Sequence, residues 1–320
     1  MLPHLLNPSS FRGALSLGIF FCAAASLSGQ GDLVPPGPPG PTMKTLDQIE
    51  SRTDLATVSG SATAEHVIAQ PGSYYLTENI EVAADNGIEI TASNVSLDLN
   101  GYTILAAGSA GDGILLDAGT TDIANVRIHN GQISGGVNYS DTDNTFGGVG
   151  FESGVNGNGV VNVVVENIRV SGMRKKGIGL FNSDSDAIKT NWARNVSVIT
   201  ARTVGIDAGQ VVDSTAIRCG LGAIKASGNV DNCVGRAVQS PLISGKAVTG
   251  TNVTDSIGWS YHGIGISAKN VENSKGTSIE EDGIDAHNIT NSIGLANGSG
   301  SGIDALYNVS NSTGRSDQGT

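Results

Sequence analysis

Aromatic residues make up only 4% of the 320-residue sequence, and charged residues only 15%. Basic residues are scarcest, because 18 Lys and Arg stand against 30 Asp and Glu, for a formal net charge of −12. A nucleic-acid binder needs a basic face to neutralise phosphates, and no stretch of this sequence supplies one. A coiled coil needs far more Glu, Lys and Leu. These shortages exclude a nucleic-acid partner and a long-helix protein from the expected classes.

Glycine is abundant instead, with 45 residues, which is about twice average usage. Collagen would need glycine at every third position, and this chain has far fewer. Hydrophobic residues reach 38% and occur as short Val and Ile runs throughout. A disordered chain has too few such residues to form a core, so the composition predicts a folded β-protein interrupted by glycine turns.

The N-terminus is predicted to be an export signal. Arg12 precedes an apolar run over residues 13–27 that ends in small residues. A positively charged n-region, a short apolar h-region and a cleavage site of small residues are typical of a secretory signal peptide, here residues 1–28. The run is shorter than the roughly 20 residues that cross a bilayer. We therefore expect an exported protein (secreted, periplasmic or on the cell surface) with no membrane span after cleavage.

Two cysteines, Cys219 and Cys233, remain after that cleavage. Two cysteines do not make a disulfide framework, although an exported compartment would permit one bond. The repeat described next places them at different points of neighbouring coils. We predict two buried free thiols.

Two short phrases recur side by side through the second half of the chain. The first has the form N-[VI]-x-[ND]-[SC] and begins at Asn229, Asn252, Asn270, Asn288 and Asn308. The second has the form [GA]-[IV]-x-[AG] and is centred on Ile206, Ile224, Val248, Ile266, Ile284 and Ile303. Both advance in steps of 18 to 24 residues. Two phrases with matching steps indicate stacked structural units.

Each unit is too short for two helices, and its apolar residues alternate with period two, as in a strand. We expect two or three short strands per unit, stacked as a solenoid at about 4.8 Å spacing, with like residues lying over like. The recurring asparagines are predicted to be left-handed bend residues whose amides hydrogen-bond along the stack. A second corner is predicted at the recurring glycines, which are Gly235, Gly258, Gly276, Gly294 and Gly314.

With these coils the chain resembles the right-handed parallel β-helix proteins of the pectin-lyase-like superfamily. The resemblance rests on coil length, the apolar ladders and the asparagine phrase, and it covers roughly residues 80–314. The opening PGSYYLTENIEV is similar to the start of many secreted bacterial β-helix repeat proteins. It implies an all-β parallel β-helix, but such solenoids serve as lyases, hydrolases, adhesins and scaffolds.

The sequence is predicted to divide into five parts. Residues 1–28 are the signal peptide and residues 29–42 (GQGDLVPPGPPGPT) a Pro/Gly linker of extended type. Residues 43–80 are predicted to cap the N-terminal end of the solenoid. Residues 81–314 are predicted to form the β-helix, and residues 315–320 a polar tail.

The catalytic motifs of the superfamily are not matched. Polygalacturonase-like members use an NTD segment, an Asp-Asp pair, a G-H-G segment and an R-x-K segment, in that order. Here His262 stands in a similar segment, YHGIGIS, but Asp186 precedes it by 76 residues and no R-x-K segment follows. Pectate-lyase-like members need clustered aspartates for calcium and an arginine base, and no convincing set is present.

The strongest polar cluster comes from aligning consecutive C-terminal coils. Stacking them predicts that Asp285 lies beside Asp304, with the carboxylates roughly 5 Å apart, as in retaining glycosidases. The same alignment places His262 over Glu280. These four residues are the candidates for catalysis, and the carboxylates can alternatively share a calcium ion. A solvated outer face, with Lys269 and His287 supplying counter-charge, is the competing interpretation.

A second candidate site imitates a calcium loop. Asp141, Asp143 and Asn144 are followed by Glu152 at the twelfth position. However, Phe146 occupies the sixth place, where such a loop requires a turn glycine. A surface loop between coils is the competing interpretation, and calcium is the only cofactor that the sequence suggests.

Two functions therefore stay open. The first is a non-catalytic surface, matrix or glycan-contacting protein, favoured by the missing motifs and by Trp259, Tyr261 and Tyr307 near the C-terminal coils. The second is a polysaccharide lyase or glycoside hydrolase. Because the last repeat ends at Gly314, too few residues follow to cap the final coil, so we also expect either end-to-end self-association or a longer parent chain.

Overall fold

The computed structural model describes residues 52–117, 119–238 and 245–317. All of them belong to one unit, Glu50–Thr320. The predicted signal peptide (1–28) and linker (29–42), with the start of the predicted cap, lie outside the described residues. No helix among the described residues is both long enough and apolar enough to cross a membrane.

The described residues form thirty β-strands and two 3₁₀ turns. The turns are Leu55–Thr57 and Ile188–Thr190. The strands, in chain order, are β1 Thr53–Asp54, β2 Ala64–Ile68, β3 Gly72–Tyr75, β4 Ile80–Val82, β5 Asn86–Ile90, β6 Val95–Asp98, β7 Thr103–Ala106, β8 Ile114–Leu116, β9 Ile123–Ser134, β10 Asn138–Ser140, β11 Thr145–Gly147, β12 Val155–Asn158, β13 Val160–Met173, β14 Ile178–Phe181, β15 Trp192–Arg194, β16 Ser197–Ala201, β17 Val204–Ala208, β18 Gln210–Val212, β19 Thr215–Cys219, β20 Gly222–Ala226, β21 Asn229–Asp231, β22 Val234–Ala237, β23 Lys246–Thr254, β24 Ile257–Ser260, β25 Ile266–Glu272, β26 Lys275–Ser278, β27 Ile284–Thr290, β28 Ile293–Ala296, β29 Ile303–Ser310 and β30 Thr313–Ser316.

Twenty-eight of these strands join one continuous sheet by parallel pairing, and only β10 and β11 pair antiparallel. Each strand pairs with its counterpart one coil later, which produces three ladders. Face A begins with β2, β5 and β8 and ends with the first halves of β27 and β29. Face B begins with β3, β6 and the first half of β9 and ends with the second halves of β27 and β29. Face C begins with β4 and β7 and ends with β28 and β30. The chain therefore winds as a parallel β-helix with three strands per coil, which confirms the predicted fold. Crossover connections of this kind are right-handed in nearly all proteins.

The predicted apolar ladder lies on face A and forms the centre of the core. Ile206, Ile224, Val248, Ile266 and Ile284 pair in consecutive coils, and each is at most 1% exposed. Burying one such side chain stabilises the fold by about 1.5–3 kcal/mol relative to leaving it in water. The stability of the solenoid is therefore a sum of such rungs and their neighbour contacts.

The side chain that points into the core from face C becomes smaller along the chain. Paired in register, it reads Ile80, Ile104, Ile133, Val170, Val198, Ala216, Gly235, Gly258, Gly276, Gly294 and Gly314. The glycines thus lie inside strands, and their predicted role as a corner was wrong. A Cβ atom at Gly276 would lie 2.0 Å from the Gly283 carbonyl oxygen, so the backbone of the next coil leaves no room for a side chain. The core narrows toward the C-terminus.

The predicted asparagine ladder is confirmed on the outside of face B. The Nδ2 of Asn270 donates to Oδ1 of Asn252 at 2.7 Å, and Asn288 donates to Asn270 at 2.8 Å. Its predicted left-handed backbone was wrong, because both residues lie inside the strands β25 and β27. The left-handed residue is instead the fourth of the phrase, as at Asn273 with φ 49° and Asn291 with φ 48°. The sharp corner therefore lies between faces B and C.

Both cysteines are buried and free, as predicted. Burial raises the pKa of the Cys219 thiol to about 12 and that of the Cys233 thiol to about 11. Cys233 occupies a position where later coils carry a buried serine, as at Ser256 and Ser274. Its Sγ donates to the Asp231 carbonyl oxygen two residues back, as each serine hydroxyl does in its own coil.

The parallel sheet begins inside the segment predicted as a cap. Strands β1, β2 and β3 all lie within residues 43–80 and pair with later strands in the same sheet. Leu55, in the first 3₁₀ turn, is 1% exposed and joins the core. At the other end, β29 leaves Leu306, Tyr307 and Val309 exposed.

Candidate functional site

A hairpin, made of β10 and β11, projects from the solenoid between β9 of face C and β12 of face A. Tyr139 pairs with Phe146 across it, with ring centroids 4.9 Å apart. The Tyr139 hydroxyl donates to Oδ1 of Asn144 at 3.0 Å, and Asn144 has the left-handed φ of 54° that closes the turn. At the tip, Arg218 of β19 donates to Asp141 at 3.0 Å. This contact holds the hairpin against a coil 77 residues later in the chain.

The hairpin and the outer surface of face C enclose a pocket of about 300 Å³. Its lining residues are Tyr139, Asp141, Asn144, Arg236, Val238, Trp259 and Tyr261. Arg236 of β22 and Trp259 of β24 are register partners on neighbouring strands. The Arg236 guanidinium stacks on the Trp259 indole, with its Cζ atom 4.7 Å from the ring centroid. The Tyr261 ring meets the indole edge-on, with ring centroids 6.3 Å apart and an interplanar angle of 71°.

The pocket offers an aromatic surface beside hydrogen-bonding groups of both kinds. Arg236 is exposed and forms no salt bridge with another residue in the described part of the chain. The stack on Trp259 orders the guanidinium, which lines the pocket and carries several N–H donors. Burial, with the Asp141 charge as a smaller cause, raises the pKa of Tyr139. The Tyr139 hydroxyl therefore stays protonated at neutral pH and keeps its hydrogen bond to Asn144.

The predicted C-terminal cluster is only partly assembled. His262 Nδ1 lies 2.6 Å from Oε2 of Glu280, as the coil alignment predicted. Asp285 and Asp304 are register partners on the outside of face A, also as predicted. The first pair lies in the connections that follow face C, whereas the second pair lies on strands β27 and β29. The four residues thus form two separate pairs, and their catalytic role stays a prediction.

His262 links its pair to the hairpin pocket. Its ring lies 4.7 Å from that of Tyr261, which lines the pocket. On face A, Asp285 is half-buried and Asp304 exposed, and Lys246 donates to the neighbouring Ser267 hydroxyl at 3.0 Å.

The predicted calcium ligands are held by different partners. Asp141 pairs with Arg218, Asp143 accepts from the Ser140 hydroxyl at 2.9 Å, and Glu152 pairs with Lys175 at 2.5 Å. The structure does not bring the three carboxylates together around one point. Within residues 52–117, 119–238 and 245–317, no group of three or more His, Cys, Asp or Glu is placed to hold a metal ion.

Sequence reasoning identified Trp259 and Tyr261 as aromatic residues close together, but it missed Tyr139 and Arg236. The missed residues come from the hairpin and from a coil nearly a hundred residues later, and no repeat phrase connects them. The segment NYSDTDNTFGG carried one signal, because turn residues flanked by two aromatics predict a hairpin. The repeat could not show which coil that hairpin contacts.

A scan against protein-family models and a search of curated proteins found no match to this sequence. A search of solved structures found similarity to the full-length tailspike protein 2 from Escherichia coli O157:H7 bacteriophage CAB120. The two share 15% sequence identity with a TM-score of 0.38. The match covers 78% of this chain and 35% of that chain, so this chain spans about a third of its length. The strand register given above is what establishes this chain as a parallel β-helix protein.

Proposed function

We propose that this protein is an exported β-helix protein that contacts a polysaccharide or a cell-surface glycan without cleaving it. The binding site we propose is the pocket between the β10–β11 hairpin and face C. The observation that carries the proposal is the set of Trp259, Tyr261 and Tyr139 around one pocket, in a chain with only 4% aromatic residues. Three aromatic rings at one surface cavity are far more than such a composition supplies by chance.

The chemistry of the pocket suits a sugar. A pyranose has one apolar face of C–H groups, which packs on an aromatic ring, and hydroxyls at its edge that need donors and acceptors. Here the indole of Trp259 supplies the platform, and its face is already used on one side by Arg236. Asp141 and Asn144 supply acceptors, and Arg236 supplies donors at the rim.

The scaffold suits a binding site of this kind because it is rigid. Trp259 and Arg236 project from neighbouring strands of a sheet whose core residues are almost fully buried. Side chains on paired strands keep a fixed spacing, so little conformational entropy is lost when a ligand binds. The ion pair of Asp141 with Arg218 fastens the hairpin to β19, the strand that pairs with the β22 strand of Arg236.

Tryptophan fluorescence tests the proposal, because the chain has only two tryptophans. Trp192 also stacks under an arginine, with Arg194 at 5.3 Å, but it lies on face B. In a Trp192→Phe variant all tryptophan emission comes from Trp259. We expect titration with neutral or uronic-acid oligosaccharides to change that emission. Trp259→Ala should abolish binding measured by calorimetry, and Trp192→Phe should leave it unchanged.

Two results would contradict this proposal. If an oligosaccharide binds with equal affinity to the Trp259→Ala variant, the contact lies elsewhere on the solenoid. If no oligosaccharide of either charge class binds the folded protein at millimolar concentration, the glycan-contacting role is wrong.

A polysaccharide lyase or glycoside hydrolase is the second candidate. It is favoured by the hydrogen-bonded pair of His262 with Glu280 and by the neighbouring carboxylates of Asp285 and Asp304. The test is product formation: new reducing ends or unsaturated products from a panel of uronic-acid and neutral polysaccharides. Products that disappear in Asp285→Ala, but not in the matched face A variant Asp207→Ala, would establish the enzyme and overturn the non-catalytic proposal.

A further inference from the structure

A polar group on the outside of face B, a different face from the one that lines the hairpin pocket, contains a serine, a histidine and an aspartate side by side. Strand β6 buries Val95 and Leu97 in the core, so Ser96 and Asp98 both point outward from alternate positions. In the neighbouring strand β9, His129 is the register partner of Asp98. The imidazole lies between the two β6 side chains.

The contacts are those of a serine, a base and an orienting acid. The Ser96 Oγ lies 3.5 Å from Nε2 of His129. The other ring nitrogen of His129, Nδ1, lies 3.6 Å from Oδ1 of Asp98. Each of the two nitrogens therefore faces one partner, in the order that nucleophilic catalysis requires. In unliganded sites such contacts are often this long and tighten when substrate binds.

The acid member is fixed by its surroundings. Asp98 accepts from Arg52 at 3.1 Å, from the backbone N–H of Asn100 at 2.9 Å and from the side-chain amide of Asn130 at 3.3 Å. Three donors hold the carboxylate in one position. A carboxylate held in this way orients the imidazole of His129 and stabilises its protonated form during a reaction.

The base member is buried and neutral. His129 is 7% exposed, and its Nδ1 has no hydrogen-bond partner at normal distance. Burial lowers the pKa of His129, with the Arg127 charge acting in the same direction and the Asp98 and Glu166 charges opposing it. A neutral imidazole at pH 7 can accept a proton from a serine hydroxyl.

A cation stands beside the nucleophile. Arg127 is the register partner of Ser96 on β9, half exposed, and its Nε donates to Glu166 at 2.7 Å. Arg194 also pairs with Glu166, at 3.8 Å. A guanidinium next to a reacting carbonyl can stabilise the negative charge that develops on its oxygen.

From this geometry we propose that Ser96, His129 and Asp98 form a hydrolytic site for small carboxylic esters, with Arg127 facing the developing oxyanion. Ser96 Oγ attacks the carbonyl carbon while its proton passes to His129 Nε2. The tetrahedral intermediate collapses, the bond to the alcohol oxygen breaks, and Nε2 returns the proton to the leaving alkoxide. Water then attacks the acyl-serine with His129 as base, which releases the acid and restores the Ser96 hydroxyl. Asp98 acts as a positioning residue.

A fluorophosphonate probe tests the nucleophile directly, because it phosphonylates an activated serine and releases fluoride. The full chain is incubated with the probe, digested and analysed by mass spectrometry. We expect labelling at Ser96 that is lost in Ser96→Ala and in His129→Gln. Ser73 is the matched control, since it is the register partner of Ser96 on β3 and lies on the same outer face. Ser73→Ala should label as the unaltered protein does.

Hydrolysis of p-nitrophenyl acetate supplies the second measurement. Ser96→Ala and His129→Gln should each lower the rate at least about tenfold, with far-UV circular dichroism unchanged. Asp98→Asn should lower the plateau rate and shift the pH midpoint of activity downward, because it removes a charge that raises the pKa of His129. A purely structural role for Asp98 would leave that midpoint in place.

Three results would overturn the proposal. The first is the absence of probe labelling at Ser96 in the folded protein. The second is equal ester hydrolysis by Ser96→Ala and Ser73→Ala. The third is labelling that persists in a folded His129→Gln variant, because the serine would then react without its base. None of these results bears on the glycan pocket, which lies on face C.

Discussion

Replacing Gly276 by alanine should destabilise the C-terminal coils by about 1–3 kcal/mol or more. Gly276 lies in the middle of β26 and faces inward, where the backbone of the next coil passes. An added Cβ would lie 2.0 Å from the Gly283 carbonyl oxygen, 2.7 Å from Ile284 Cγ1 and 2.8 Å from the Gly283 carbonyl carbon. Normal contacts between such atoms are about 3.5–4.0 Å. Faces A and C must therefore move apart.

The size of the effect follows from which atoms give way. A flexible side chain could rotate away, but two of the three contacts are backbone atoms of a hydrogen-bonded strand. Moving them lengthens ladder hydrogen bonds in at least two coils, and each net bond contributes about 0.5–1.5 kcal/mol. The overpacking cost and the weakened bonds both act against folding. Alanine lowers the conformational entropy of the unfolded chain relative to glycine, but this benefit is at most about 1 kcal/mol and does not offset the cost of overpacking.

Gly147 provides the matched control. It lies in β11 of the hairpin, and nothing lies within 4 Å of the position that its Cβ would take. Gly147→Ala should therefore be neutral, or stabilising by about 0.4–1 kcal/mol through the unfolded state. Urea unfolding followed by circular dichroism compares the two variants. Hydrogen exchange should show lost protection in β24, β26 and β28 of Gly276→Ala and normal protection in the N-terminal coils, because solenoid coils contact only their neighbours.

The narrowing of the core would be refuted if Gly276→Ala had the same urea midpoint and exchange pattern as Gly147→Ala. Such a result would mean that face C has room for a methyl group at this coil. The glycines would then reflect turn propensity, and the register of face C described above would have to be wrong.

Four further outcomes follow from the same structure. Asn270→Ala should cost about 1–2 kcal/mol in urea unfolding, because it removes two amide bonds of the ladder without backbone strain; an unchanged midpoint would mean that the ladder does not stabilise the fold. Asn273→Ala should cost about 1–2 kcal/mol through its left-handed φ of 49°, whereas Asn273→Gly should restore most of the loss; equal costs for both variants would contradict the backbone explanation. Cys219 and Cys233 have thiol pKa values raised to about 12 and about 11, so a thiol reagent at pH 8 should react only after unfolding; rapid reaction of the native protein would show that the coils open. Finally, we expect this chain to self-associate through its last coil, where Val309 is 51% exposed, so sedimentation velocity should detect dimers that Val309→Lys reduces; a monomer at every concentration would contradict this expectation.

The sequence by itself determined the length of the repeating coil and which residues of neighbouring coils lie beside each other. Two phrases that advance in equal steps force like residues into register in a solenoid, because a coil pairs only with its neighbours. The pairing of Ile266 with Ile284 and of Asn270 with Asn288 could therefore be predicted residue by residue. The neighbouring positions of Asp285 and Asp304, and the contact of His262 with Glu280, followed from the same alignment.

The direction in which the backbone turns was decided only by the tertiary structure. Asparagine is tolerated both in a strand and in a left-handed corner, so the phrase N-V-E-N could not show which asparagine bends. The chain passes from face A to face B in one extended strand through Asn270 and turns sharply at Asn273. In the same way, glycine suits both a turn and a close approach, and the nearby backbone of Gly283 assigns Gly276 to the second role.

The candidate sites depend on tertiary structure still more. The hairpin pocket joins Tyr139 to Trp259 across more than a hundred residues, and its position depends on how many coils lie between them and how long each one is. A repeat phrase describes contacts between adjacent coils and contains no information about an insertion that reaches over several. The group of Ser96, His129 and Asp98 likewise depends on a 31-residue spacing between paired residues Asp98 and His129, which departs from the 18- to 24-residue steps. Local repetition therefore specifies the solenoid, and the irregular coils specify where distant side chains meet.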